Sequence, residues 1–465
     1  MPDTNPARRR SAVVIGGGMT GMLAASVLAD HADVTIIERD FLPDGPQPRK
    51  GLPQARHAHI LWSGGVKAIE ELLPGIVDQL VDCGARRTRI MSDMVSKAPS
   101  GQWFRRFTHS RHTNLLCSRD LLDAVIRTRV LKNYRVTLCQ ETALLSLEGS
   151  ARRVTGVRIR SAHTDSTLPA DLVIDASGRG SRASVWLQEL GLPPVDERTV
   201  DAGIGYASRI YRAPGDTASG FPIVNVQADP RQNPGRGGTI TPIEDGRWLV
   251  TLAGTRGGQP NGSNEEFVPF AHTLPHPIIG ELLAGAEPET DVVTTRNTAN
   301  KRRYYEKAAH WPDGFAVLGE AVAGYNPVYG HGLTAAAQSV IALRRILGRH
   351  ELRVPGTAWR IQKAAARPVE NAWSLAVGQD VFYPGASDQP PTWVERTLAA
   401  FVDKAVDTGS RNPHALRILL DVMSMEKPPA RLFMPDMLAL VYLGRKKPPL
   451  EAPPLTDHER EAATP

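Results

Sequence analysis

Cysteine is scarce in this chain: Cys83, Cys117 and Cys139 are the only three in 465 residues. They are odd in number, far apart and without a C-x-x-C pair, which argues against disulfides or a structural zinc and fits a reducing cytoplasm. All three are expected to pack as small hydrophobes. Long apolar runs are lacking too. A membrane span needs about 18–20 apolar residues, and the best C-terminal stretch, 433–444, is shorter and carries Asp436, so it reads as a core or interfacial helix. Aromatics make up 6% of the chain, and its net charge of +6 is scattered rather than gathered on one aromatic-laced face. That pattern argues against a nucleic-acid partner and is compatible with small phosphorylated or carboxylated molecules.

What is present is enough apolar material, 41% of the residues, for a large core shared by two or three joined subdomains. Residues 1–10 and 445–465 are proline-rich and polar and read as disordered ends. Arginines 8–10 followed by an apolar stretch imitate an export signal, but Gly16, Gly17, Gly18 and Gly21 fall where that helix would have to be unbroken. Each glycine would cost a helix about 1 kcal/mol relative to alanine. Strand at 11–15, turn at Gly16-x-Gly18-x-x-Gly21, helix at 22–29 and strand at 34–37 ending on Glu38 is the better division. It is the dinucleotide fingerprint: one glycine turns the chain, the next admits a pyrophosphate, the third packs helix on strand, and the acid accepts ribose hydroxyls. The helix N-terminus supplies N–H groups to the phosphates.

Two further stretches share a plan. "ADLVIDASGRGSRASVWL" at 170–187 is a buried strand ending in Asp175, followed by a glycine-rich turn with Ser177, Arg179 and Ser181. "FAVLGEAVAGYNPVYGHGLTAAAQSV" at 315–340 is a strand, Glu320, a loop with Asn326, Pro327, Gly330 and Gly332, then a helix over about 334–349. A helix is also expected at 118–130 and strands at 171–175 and 315–319. Between 200 and 300 several β-rich runs separated by turn signals predict an antiparallel sheet, and beyond 350 amphipathic helices such as "PVENAWSLAVGQD" and "HALRILLDVMSM" take over.

These three motifs, in this order, resemble the flavoprotein monooxygenases of the aromatic-hydroxylase fold. The resemblance implies an α/β fold: a Rossmann-type FAD-binding domain at 11–195 and 300–350, an inserted antiparallel β-sheet substrate domain at 196–299, and a helical C-terminal region at 351–444. It implies FAD as cofactor, held by Gly16, Gly18, Met19, Thr20, Gly21, Glu38, Arg39, Arg49, Arg119, Asp175, Glu320, Gly330, Gly332 and Leu333. Arg119 would lie near the phosphates or in solvent. Glu320 stands where the family carries aspartate. The helix opening near Leu333 would aim its positive end at the charge that develops on a reduced flavin.

A narrower similarity rests on "PRKGLPQARHAHILWSGGVKAIEELLPG" at 48–75, with "DLVIDASGRGS", "PIEDGRW" and "NPVYGHG". Together they are similar to the flavin epoxidases of polyether-antibiotic pathways, over about residues 11–345. That similarity implies transfer of one atom of O2 through a flavin C4a-hydroperoxide to an alkene of a linear polyene polyketide. No protein nucleophile is required, only exclusion of water and placement of the double bond. His59, Tyr206, Phe221, Trp248, Asn326, Pro327 and Tyr329 are the candidate walls of an apolar substrate pocket. His57 and His59 have no third metal ligand nearby; on a strand they would share one face and line the cleft, but a hydrogen-bonded structural role ranks first. No second G-x-G-x-x-G follows a strand, so NAD(P)H visits without its own domain or a separate flavin reductase supplies electrons. Ring hydroxylation and flavin-dependent saturation of isoprenoid double bonds are the alternatives; the W-x-W-x-I-P string of flavin halogenases is absent.

Overall fold

The computed structural model describes residues 9–108, 110–218, 220–230 and 232–462. Of the N-terminal segment expected to be disordered, residues 1–8 lie outside the described residues. The runs "SAVVI", "DVTII" and "LVID" are rich in β-branched residues and mostly buried, with Ser11, Asp33 and Thr35 partly exposed, as strands covered on both faces require. They form the centre of a five-stranded parallel sheet in the order Phe315–Val317, Leu172–Asp175, Ser11–Ile15, Asp33–Ile37, Val136–Cys139. The helices Met19–Leu28 and Gly332–Leu347 pack together against this sheet around a core of Val14, Leu23, Ile36, Ile174 and Val340. The last strand is shorter than expected, because Gly319 takes a φ of +64° and opens a single 3-10 turn at Gly319–Ala321.

The β-rich region builds a seven-stranded sheet whose middle is Gly205–Arg212, Arg247–Gly254, Arg236–Ile243 and Ile223–Val226. It also recruits Met94–Lys97, which pairs in parallel with Ile223–Val226 from far away in sequence. Phe221 and Trp248 lie inside the core between this sheet and two short helices, with ring centroids 4.8 Å apart. They are not cavity walls, correcting the expectation for both: Trp248, on its strand, and Phe221, just before the strand Ile223–Val226, pack into the cluster on the sheet's covered side. An antiparallel meander over Thr142–Ser150, Arg153–Ser161 and Thr164–Pro169 is a further element not read from the sequence.

Helices Thr357–Asp380, Trp393–Arg411, Pro413–Met423 and Pro435–Tyr442 cap the molecule. Among the described residues no helix is long and apolar enough to cross a membrane. The tail is a correction to the expected disorder. Leu450 and Leu455 pack on the large sheet's core, Arg105 and Arg106 donate to the carbonyls of Pro448 and Pro454, and a short helix at Asp457–Ala462 carries Glu459 to Arg106 at 2.5 Å. A proline-rich strap has few N–H groups of its own to satisfy, and its carbonyls are served by these arginines and, at its start, by Asn412, which donates to the Arg445 carbonyl at 2.9 Å. Cysteine packing also differs from the reading: Cys117 is buried, Cys139 half-buried and Cys83 exposed.

Candidate functional site

The site grows from the first strand. After Ile15 the chain turns at Gly16, whose φ of +98° and 2.7 Å approach of an added Cβ to the Ala176 carbonyl exclude a side chain. At Gly21 an added Cβ would lie 1.9 Å from the Gly16 carbonyl, so this glycine presses helix onto turn. Gly18, the helix N-cap, has nothing within 4 Å of an added Cβ and opens into a cavity whose wall it shares with Met19 and Thr20. Here the first-turn N–H groups are unused by the helix.

Glu38, at the end of the second strand, is buried and accepts from Gly17 N–H at 2.8 Å and from Arg49 at 3.1 Å. Arg49 reaches on to Asp123 at 2.9 Å, and Asp123 to Arg127 at 2.8 Å, giving a buried ladder of alternating charge beneath the turn. Arg39 lines the cavity from the outer side. Arg119 opens the helix Arg119–Leu131, capped by Ser118. Its guanidinium is buried, burial pulls it below its usual range, and its Nη1 has no partner in the chain. A buried cation with an unused donor and the free N–H groups of a helix start both line this cavity, and donors of these kinds suit a phosphate group.

Asp175 is placed elsewhere. It is fully buried behind the wall, accepting from Ser177 N–H at 2.9 Å and from the hydroxyls of Ser177 and Ser181 at 2.6 and 2.5 Å. It shapes the turn at 176–181 instead of meeting the cavity, which corrects its expected direct role; burial pushes its carboxyl up. Glu320 does face the cavity, with Arg179 3.5 Å away. Gly330 adopts φ +67° against Trp62, whose Nε1–H donates to the Tyr329 carbonyl at 3.1 Å. Gly332 and Leu333 then begin the 16-residue helix with its N-terminus on the cavity.

Beyond this loop a buried polar network gathers residues from across the chain. Asn326 accepts from Tyr206 OH at 2.5 Å and donates to Asp380 at 2.8 Å, and Tyr329 OH and Asn300 each donate to Asp380 at 2.6 Å. Burial pushes the Asp380 carboxyl up while these three donors pull it down. Tyr206, Asn326, Pro327 and Tyr329 all reach the cavity wall. His59 lies there as well, donating from Nδ1 to the His57 carbonyl at 2.6 Å; burial and then Arg119 hold its ring down to about 3. Neither histidine is on a strand, because Pro53–Arg56 is a 3-10 turn and the chain stays irregular to Ile60.

Sequence reasoning missed Asp380, Asn300 and Asp123. A signal was present for Asp380: Val369, Trp373, Ala376 and Asp380 fall at i, i+4, i+7 and i+11, so the acid continues the buried stripe of its helix. Overall the residues enclose one continuous cavity of about 1170 Å³, running from the fingerprint turn past Tyr329 to Trp373, Leu398 and Phe433 under the capping helices.

Three comparisons bear on this geometry. Residues 12–185 match the family model described as FAD dependent oxidoreductase. The Mycobacterium tuberculosis (strain ATCC 25618 / H37Rv) protein Rv3254 is 31% identical over 414 residues, covering 86% of each chain. Among solved structures, p-nitrophenol 4-monooxygenase PnpA of Pseudomonas putida DLL-E4 has a TM-score of 0.60 at 14% identity, over 89% of this chain and 99% of that one. The myxobacterial chondrochloren halogenase CndH has a TM-score of 0.61 at 16% identity, over 94% and 97%. Those two likenesses establish a shared fold. The family match over the fingerprint turn and the following strands, with the extent of the mycobacterial match, leads to one assignment: the chain belongs to the FAD-dependent oxidoreductases.

Proposed function

We propose that this oxidoreductase is a monooxygenase that inserts one atom of O2 into an apolar small molecule, with epoxidation of an alkene in a linear polyene polyketide the favoured reaction. The observation that carries this reading is the continuity of the cleft: the groove of the FAD motifs runs without interruption into an apolar chamber walled by Ala253, Trp373, Val377, Leu398, Leu432 and Phe433. An extended hydrocarbon chain threads such a chamber, and its apolar lining excludes the water that competes with oxygen transfer.

In this scheme the N–H groups at Gly18–Thr20 and the Arg119 guanidinium hold the pyrophosphate, and Glu38 takes the ribose. Bound and reduced, FAD supplies the electrons and the ring on which oxygen is activated. The N-terminus of Gly332–Leu347 favours negative charge on that ring. Tyr206, Asn326 and Asp380 hold the "NPVYGHG" loop rigid through mutual hydrogen bonds, so the wall that orients the substrate does not yield. Electrons come from NAD(P)H visiting the open cleft or from a separate flavin reductase.

Asp380 behind Tyr329 favours a second reading, hydroxylation of a phenolic ring, since a buried carboxylate linked to a wall tyrosine can draw a proton from a substrate hydroxyl. One experiment addresses both. Chemically reduced holoprotein is mixed with oxygenated buffer in a stopped-flow spectrometer, alone and with a polyene or a phenol, and products are analysed under labelled oxygen. A transient spectrum distinct from oxidised and reduced flavin, with label in the polyene product, is the expected outcome. Label in the phenol alone moves the hydroxylase reading forward. Direct return to oxidised flavin with saturated, unlabelled product replaces both with reductase chemistry.

A further inference from the structure

Besides Arg119 Nη1, the buried polar atoms of cavity-lining residues that nothing in the chain uses include one on a histidine. His57 is 4% exposed, lines the cavity, and its ring centroid lies 6.0 Å from that of Tyr206. Its Nδ1 is 2.8 Å from Ser208 Oγ, which is 2.6 Å from Thr251 Oγ1, which in turn accepts Ala58 N–H at 2.9 Å. Its Nε2 has no partner.

Each hydroxyl in this relay has one hydrogen to give. If Thr251 donates to Ser208 and Ser208 donates to Nδ1, both hydrogens are used and the ring proton sits on Nε2, leaving one donor unmet. Reversed, the Thr251 hydrogen has no acceptor and Nε2 is a bare lone pair, leaving two groups unmet. Buried polar groups without partners are costly, so the first arrangement holds. Burial also pulls the ring down to about 4, so it is neutral near pH 7 and its single N–H is the one on Nε2. Ser208 and Thr251 lie on adjacent strands, Gly205–Arg212 and Arg247–Gly254, of the large sheet, which contains none of the cofactor motifs. The donor is therefore held by the large sheet and not by the fingerprint elements.

We propose that His57 Nε2–H is a neutral, pre-aligned donor that anchors a carbonyl oxygen of the substrate, so that the molecule this enzyme oxidises is a ketone, ester or acid derivative and not a plain hydrocarbon. This rests on the small-molecule oxygenation read above and narrows its substrate class. Neither His57's neighbours nor its tautomer requires that oxygenation occur.

The test uses oxidised holoprotein and two probes of one shape, 2-acetylnaphthalene and 2-isopropenylnaphthalene, titrated by perturbation of the flavin absorbance. The wild type is expected to bind the ketone about ten-fold more tightly, the scale of one neutral hydrogen bond. In His57→Phe the ratio of the two affinities falls to unity while FAD content is retained. His57→Gln, whose amide N–H reaches a similar place, restores part of it. Ser208→Ala weakens it by releasing Nδ1 to take the proton. Equal binding of the two probes by the wild type, or no binding of the ketone, overturns the proposal. Loss of FAD affinity in His57→Phe with ketone selectivity intact also overturns it, by giving the donor to the cofactor. No turnover is involved, so ketone selectivity without any oxygen transient would retire the monooxygenase reading and keep this site, and the converse would do the reverse.

Discussion

The two ends of the cleft are built on opposite plans. At the fingerprint end one stretch of chain, Ile15 to Arg49, furnishes the turn, the helix start, the acid and the arginine below it, with Arg119 and Asp123 as the main additions. At the far end, hydrogen bonds join Tyr206, Asn300, Asn326 and Asp380, spread over more than a third of the sequence, and the roof comes from helices later still. Local backbone geometry determines the first; convergence of distant segments determines the second. The near end is accordingly fragile toward a single added carbon and the far end toward a single lost hydrogen bond.

Breaking the near end gives the largest effects. Arg49→Met strands Glu38 without its cation and leaves Asp123 with Arg127 alone, and is expected to cost about 3–5 kcal/mol in chemical denaturation. A loss under about 1 kcal/mol would mean the ladder is solvated. Gly18 and Gly21 separate fold from cofactor. Gly21→Val collides with the Gly16 carbonyl and should destabilise even the apoprotein by about 3 kcal/mol. Gly18→Val meets open space, so apoprotein melting should be unchanged while FAD affinity drops by about 100-fold or more. Equal melting shifts for the two variants would erase the distinction.

At the far end, Asp380→Asn keeps shape but sets an amide N–H against one of three donors, and should cost about 1–3 kcal/mol while leaving FAD affinity within about two-fold. Titration sharpens the same contrast. His57, His59 and His331 are held down to about 4, 3 and 4 by burial, so each is neutral in the fold but protonates in the unfolded chain below about 6.5. Their contribution to stability is complete above about 6.5 and is lost as pH falls toward 4. Asp120, raised by burial to about 6, acts in the opposite sense, so the wild-type slope is a difference of the two. His331→Gln should therefore narrow its stability gap to the wild type between pH 7 and pH 5, measured by urea titration; a gap independent of pH would mean that His331 is not held neutral. The smallest effect is expected at Glu320, half-exposed beside Arg179: Glu320→Asp should change FAD retention by less than about three-fold.

Legibility in the sequence follows the same division. The opening strand pair Ser11–Ile15 and Asp33–Ile37, the glycine turn between them, the acid after the second strand and the helix after "NPVYGHG" all arise from near neighbours, and the chain spells them in order. Met94–Lys97 joining the large sheet, the seated proline-rich tail and the inward Phe221 and Trp248 depend on partners more than a hundred residues away or on which side of a sheet is covered. Asp175 shows the limit within a motif: its place at a strand end was plain, but two serines on the following turn drew its carboxylate inward.

The sequence by itself determined where this protein turns its backbone after the first strand, because Gly16 takes a φ of +98° that glycine permits and Gly21 leaves room for the Gly16 carbonyl five residues before it. Only the tertiary structure decided that Asp380 lies behind Tyr329 and that His57 keeps one N–H for the cavity. Those outcomes depend on which buried donors and acceptors are left over once every distant segment has packed.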